Sequence, residues 1–170
     1  MDSGNPFQLI DVLSRHDVPF VIIGGHAVTF HGYVRATEDT DIIFWRSPES
    51  ESSLFDALSD VNASWIGDEI DPKTGVERTY PVTRDYIRRT HLMMLVTDYG
   101  FLDVFDYIPG FPDESVDELF ATAVPHGSHR FVSLAWLRRM KSAANRPRDQ
   151  SDLENLPRDP ESPSPPLNDA

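Results

Sequence analysis

The apolar run FVII (residues 20–23) ends at Gly24-Gly25, and after a spacer of thirteen residues Asp39-Thr40-Asp41 heads a second apolar run, IIFW. Residues two apart on a strand point to the same face and lie about 6.5 to 7 Å apart. Asp39 and Asp41 therefore share a face, and at an effective dielectric near 20 two such charges repel by about 2 to 3 kcal/mol. That is a sizeable part of a small domain's stability, so a positive partner is required. A third acid, Asp103, lies in the later segment LDVFD, and a neighbouring strand would bring it to about 4.8 Å in the hydrogen-bonding direction. Asp106 is the rival third acid, but strand parity puts it on the opposite face unless a bulge intervenes. Three carboxylates on one sheet face make an oxygen-only donor set, which selects hard ions such as magnesium or manganese.

The glycine pair stands where a strand ends and a helix begins. Without a Cβ there, backbone amides can approach an anion closely. Acids for a divalent metal beside a turn for phosphate describe a site for a metal-bound nucleoside triphosphate. Neither a Gly-Lys-Ser/Thr phosphate loop nor the six-residue dinucleotide fingerprint occurs, which disfavours those two nucleotide folds.

Composition narrows the setting. A chain of 170 residues, 39% hydrophobic, builds one core, so one domain is expected over residues 1–156. Residues 157–170, proline-rich and acidic without aromatics, are expected to be a disordered tail. No cysteine is present, which excludes disulfides and thiolate chemistry and fits a reducing compartment. The first residues lack a basic segment, and the apolar runs fall far short of the roughly 20 residues that span a bilayer, so a cytoplasmic protein without membrane contact is expected. A net charge of -13 argues against gripping long nucleic acid through the general field.

Local signals give the order of elements. Asn5-Pro6 reads as a helix start, with Phe7, Ile10 and Leu13 as its apolar stripe. A strand at 20–23, a short helix at 26–31, a strand at 39–45 and a helix capped by Ser47-Pro48 follow. Residues 67–90 read as strand and loop, and 91–96 and 101–108 as strands paired across a turn at 98–100. Helices are expected near 113–123, 133–143 and 149–156. The fold class is α+β or α/β, a mixed sheet covered on one side, with a closing C-terminal helical segment.

Together VIIGG, the thirteen-residue spacer, DTD, GFLDVFDYIPG, HGYVRATEDTD and SLAWLRRMKSAANRPRDQSDLENL resemble the nucleotidyltransferase superfamily that includes polymerase-beta-like enzymes. The likeness is strongest to small bacterial members related to abortive-infection toxins, and it spans residues 20–156. It departs at Gly25, where many members have serine, and at Thr40, which replaces an apolar residue. The resemblance implies a nucleotidyltransferase-type sheet and the transfer of NMP from an NTP to an acceptor hydroxyl. It also implies that Asp39, Asp41 and Asp103 hold two Mg2+ or Mn2+ ions, with Asp103 helping to deprotonate the acceptor. Gly24 and Gly25 would cradle the β and γ phosphates, and a tight turn alone would also explain them. Arg35 and Thr37 would touch phosphate or brace the loop.

Lys141 lies seven residues after Leu134 on the stripe of Leu134 and Leu137, so it either snorkels or reaches the site. The basic cluster at 138–148 offers counter-charge for a triphosphate. Asp149 and Asp152 read as structural partners of Lys141 or Arg146, and Asp149 also suits an N-cap. His26 and His31 are assigned to packing or capping. The acceptor stays open among tRNA, protein and small molecule, and its recognition calls for a homodimer mate or a partner chain. The other readings are a toxin-antitoxin component of this fold, a non-catalytic nucleotide binder and an antibiotic-modifying enzyme.

Overall fold

The computed structural model describes residues 6–158. The N-cap expected at Asn5, and the expected tail after its first two residues, lie outside the described residues. The described elements are α1 (Pro6–Arg15), β1 (Phe20–Ile23), α2 (Gly24–Phe30), β2 (Asp39–Phe44), α3 (Pro48–Asp60), β3 (Ser64–Ile70), β4 (Glu77–Pro81) and α4 (Arg84–Arg89), followed by β5 (Leu92–Thr97), β6 (Gly100–Phe105), α5 (Asp117–Ala121), β7 (Val124–His126), β8 (His129–Phe131), α6 (Leu134–Ala144) and α7 (Pro147–Asn155).

Most helices start where their caps dictate. Ser47 Oγ accepts the Ser50 amide at 3.0 Å, and Ser50 Oγ accepts the Ser47 amide at 2.7 Å, satisfying two orphan donors at the head of α3. Ser133 caps α6 through the Trp136 amide at 3.2 Å, and Asn145, with φ of 50°, ends it in the left-handed conformation. On α1, Leu9, Ile10 and Leu13 are buried, as an amphipathic stripe requires.

The strands form one mixed sheet in the order β4-β3-β5-β6-β2-β1-β8-β7. β2 runs antiparallel to β1 and parallel to β6. An α+β fold with a mixed sheet and closing helices is therefore what the chain adopts. Coverage differs from the one-sided expectation. In β1 and β2, successive residues Ile22, Ile23, Ile42 and Ile43 are all buried, so both faces are covered there. In β5 and β6 only one face is dry: Met93, Leu95, Leu102 and Val104 are buried, while Met94 and Phe101 are 60% and 49% exposed.

Four elements differ from the sequence reading, and each is short. α4, six residues long, lies in the stretch read as strand and loop; it is capped by Thr83 and anchored by buried Ile87. β7 and β8 pair across a turn containing Gly127 (φ 61°) and add an edge beside β1. Phe131 on β8 stacks on Phe30 at 4.2 Å. α5 occupies only the middle of the expected 113–123 helix. Three to six residues are too few for periodicity to register.

Candidate active site

The parallel register of β2 and β6 sets Asp41 directly beside Asp103 and Asp39 beside Phe101. On its other side Asp41 pairs with Ile23, the last residue of β1. All three acids thus stand on one face, next to the point where β1 turns into α2. Asp39 is exposed, and Asp41 and Asp103 are half-buried. Burial, then the charges of Asp103 and Asp39, push the Asp41 carboxyl up to about 7, against the pull of Lys141. Burial, then Asp39, also raises Asp103, which is hydrogen-bonded to Asp41. Asp106 is engaged elsewhere: it accepts Arg46 Nε at 2.7 Å and meets His91 Nδ1 at 2.7 Å.

The glycine turn closes over this carboxylate row. Gly24 has φ of 66°, and a Cβ on it would run into the Asp41 side chain. A Cβ on Gly25 would lie 2.5 Å from Thr37 Oγ1 and 3.2 Å from Arg35 Nη1. The loop before β2 therefore folds onto the turn, and the Thr37 hydroxyl occupies the space a side chain at position 25 would take. Thr37 Oγ1 donates to the Asp39 carbonyl at 3.2 Å. No side chain caps the start of α2.

Opposite the acids stands a wall built by α6 and α7. Lys141 is buried, with Nζ 3.2 Å from Asp149 Oδ1 and 3.0 Å from Asp152 Oδ2. Arg35 grips Asp152 with two bonds of 2.6 and 2.8 Å, and Arg146 Nε donates to Asp149 Oδ2 at 2.7 Å. Both carboxylates are fully buried. Burial acts to raise them, but the donors Arg146, Arg35 and Lys141 outweigh it and hold both below the usual carboxylate range. Three cations against two carboxylates leave one positive charge over, facing the three acids. Asp149 is not the N-cap of α7. Arg146 is, and Asp149 sits three residues on, accepting the Arg146 amide at 3.1 Å.

Between acids and wall lies a cleft of about 430 Å³, lined among others by Gly24, Gly25, Arg35, Thr37, Lys141, Arg146 and Arg148. Every residue expected at the site borders this cleft, including Asp39, Asp41 and Asp103. Arg138 and Arg139 of the basic cluster do not. Arg138 donates to the Leu153 and Pro157 carbonyls, and Arg139 lies 4.0 Å from the Trp136 ring centre and pairs with Glu114. His26 is buried beside Thr40, its pKa lowered by burial and then by Arg35. His31 Nε2 lies 2.7 Å from the Val132 carbonyl oxygen. The Arg35–Asp152 pair, 117 residues apart in sequence, escaped sequence reasoning because no local pattern links the two.

Among the described residues no group of three or more His, Cys, Asp or Glu side chains is placed so as to hold a metal ion as it stands. The donor chemistry nonetheless fits a hard divalent ion: three carboxylates of one sheet face, all oxygen, with Asp41 pushed up to about 7 by burial and then by its two acidic neighbours.

No family model and no curated protein matches this chain. Among solved structures it is similar to JHP933 from Helicobacter pylori, with 17% identity and a TM-score of 0.45 over 86% of this chain and 62% of that one. It is also similar to an H. pylori protein described as a candidate nucleotidyltransferase, with 16% identity and a TM-score of 0.41 over 81% of this chain and 56% of that one. The chain thus spans about three fifths of the length of each. Among the described residues no helix is long and apolar enough to cross a membrane.

Proposed function

We propose that this chain is a divalent-metal-dependent nucleotidyltransferase that moves a nucleoside monophosphate from a nucleoside triphosphate to an acceptor hydroxyl and releases pyrophosphate. One observation carries the reading: Asp39, Asp41 and Asp103 share a cleft with the bare Gly24-Gly25 turn and with Lys141, Arg146 and Arg148. An under-compensated carboxylate row calls for cations, and a basic wall beside it calls for an anion. A metal-triphosphate supplies both.

The residues divide the work. Arg146 and Arg148, with Lys141 behind them, draw and orient the triphosphate, and the glycine turn admits its β and γ phosphates without a side chain in the way. Asp39, Asp41 and Asp103 hold Mg2+ or Mn2+, which when bound neutralises charge on the attacking and leaving oxygens. The acceptor oxygen attacks the α-phosphorus, forming the new O–P bond while the bond to pyrophosphate breaks. The hydroxyl proton passes to the Asp103 carboxylate, which stands beside the reacting atoms. Positioning and charge neutralisation supply the rate, with no covalent enzyme intermediate.

The test is transfer of label from each α-labelled NTP, with Mg2+, to a panel of RNA, protein and the chain itself. Asp41→Asn keeps the side-chain shape and is expected to lower transfer by about a thousand-fold. Undiminished transfer in that variant would remove the reading.

A further inference from the structure

On the half of the sheet away from α6, outward positions that ordinarily carry polar side chains carry apolar ones. Met94 pairs with Asp103, and Phe101 pairs with Asp39. Leu92 lies two residues before Met94 on the same face of β5, and β3 continues the surface with Ile66 and Ile70. These five side chains are 36 to 62% exposed, while the reverse face of β5 and β6 is dry. Such a patch marks an interaction surface. It begins at the carboxylate row and extends over three strands, wider than a small molecule needs.

Its place relative to the cleft fixes its use. In an in-line displacement the attacking and leaving oxygens lie on opposite sides of the phosphorus. The glycine turn, which would hold the leaving pyrophosphate, follows β1, on one side of the acids. The apolar surface adjoins β6 and lies on the other. Resting on the nucleotidyltransferase reading, we infer that this surface docks the acceptor, and that the acceptor is a Ser, Thr or Tyr hydroxyl on a polypeptide segment rich in apolar and basic residues.

Charge selects that occupant. On this face β2, β4 and β6 present Asp39, Asp41, Glu77 and Asp103, and the outward positions of β3 and β5 present no Lys or Arg. Two divalent ions and one triphosphate carry equal and opposite charge, so a loaded cleft leaves the face acidic. RNA is a polyanion and is repelled. A second copy carries a net charge of -13, and the chain's own residues 159–170 contain Asp159, Glu161 and Asp169 with no Lys or Arg, so both are repelled as well. A cationic, apolar polypeptide is attracted and buries the patch.

The experiment uses the full chain and three probes: short peptides with one Ser, Thr or Tyr among Leu, Phe, Lys and Arg; the same peptides with Glu for every Lys and Arg; and an RNA oligomer with a free terminal hydroxyl. Binding is read by fluorescence anisotropy, transfer by labelled NTP, and Mg-NTP binding by calorimetry. The basic peptides are expected to bind and take label in preference to the other two probes. Met94→Ser with Phe101→Ser, both exposed and outside the cleft, is expected to weaken peptide binding about ten-fold and leave Mg-NTP binding and the thermal midpoint unchanged. Preferential labelling of RNA, equal behaviour of the Glu peptides, no peptide binding, or unaltered binding in the double variant would each overturn the inference. Peptide docking by a wild-type chain that fails to bind Mg-NTP would bring down the nucleotidyltransferase reading and leave the docking surface standing.

Discussion

Asp41 is held in surroundings that disfavour its charge. Its carboxyl titrates near 7 in the folded chain against 3.8 unfolded, through burial and then the charges of Asp103 and Asp39. Between those values the native state keeps a proton that the unfolded state has released, so the group's stabilising contribution is full below about 4 and is lost as pH rises towards 7. A shift of about three units corresponds to on the order of 4 kcal/mol. Thermal melts in chelator at about pH 5 and about pH 8 should show wild type losing about two thirds of this share, the part that falls above pH 5, while Asp41→Asn, which has no charge to bury, shows no such loss and becomes the more stable protein at the higher pH. Parallel shifts in the two proteins would mean that Asp41 is freely solvated. The same substitution would thus stabilise the metal-free fold and abolish transfer, as expected where stability is given up for a charged site. At this scale the sequence was informative: two aspartates one residue apart on a strand must share a face whatever the tertiary structure. The contact of Thr37 and Arg35 with the Gly25 turn was not legible, because it depends on how a loop folds back.

Among the elements, α6 and α7 are joined by ion pairs, Lys141 of α6 meeting Asp149 and Asp152 of α7. Asp152 receives Arg35 from the loop before β2 and Lys141 from α6, so one carboxylate ties three segments together. Removing it leaves two cations around an empty buried position. Asp152→Ala should cost about 3 kcal/mol. Arg139→Ala, which loses an exposed pair with Glu114 and a stack on Trp136, should cost less than about 1 kcal/mol. Urea denaturation of the two variants checks the contrast, and equal losses would mean that the buried network is dispensable. The stripe of Leu134, Leu137 and Lys141 made α6 readable in advance. Asp149 looked like a cap because it stands near a helix start. Pro147 moved that start two residues earlier, since proline suits the first helical position. α4 and the β7–β8 hairpin were invisible because each is shorter than the window in which a period can be counted.

For the whole molecule, the decisive pairing is the parallel one between β2 and β6, which joins residues 62 apart in sequence and brings Asp103 to Asp41. Alternation reveals that a segment is a strand but not which strand lies next to it, so the sheet order and the uncovered half became visible only with the structure. The acidic balance of the chain gains meaning there too: the exposed apolar face carries carboxylates and no cations, while the few basic groups at the site are gathered on α6, α7 and the loop before β2. The central claim is that the carboxylates of β2 and β6 hold divalent cations beside a triphosphate. Titrating Mn2+ into the full chain with a non-hydrolysable NTP, and following free Mn2+ by electron paramagnetic resonance, measures this without depending on any acceptor. The account predicts NTP-dependent uptake of two ions by the wild type and loss of that uptake in Asp41→Asn; uptake that is the same in the variant, or absent from the wild type, would contradict it.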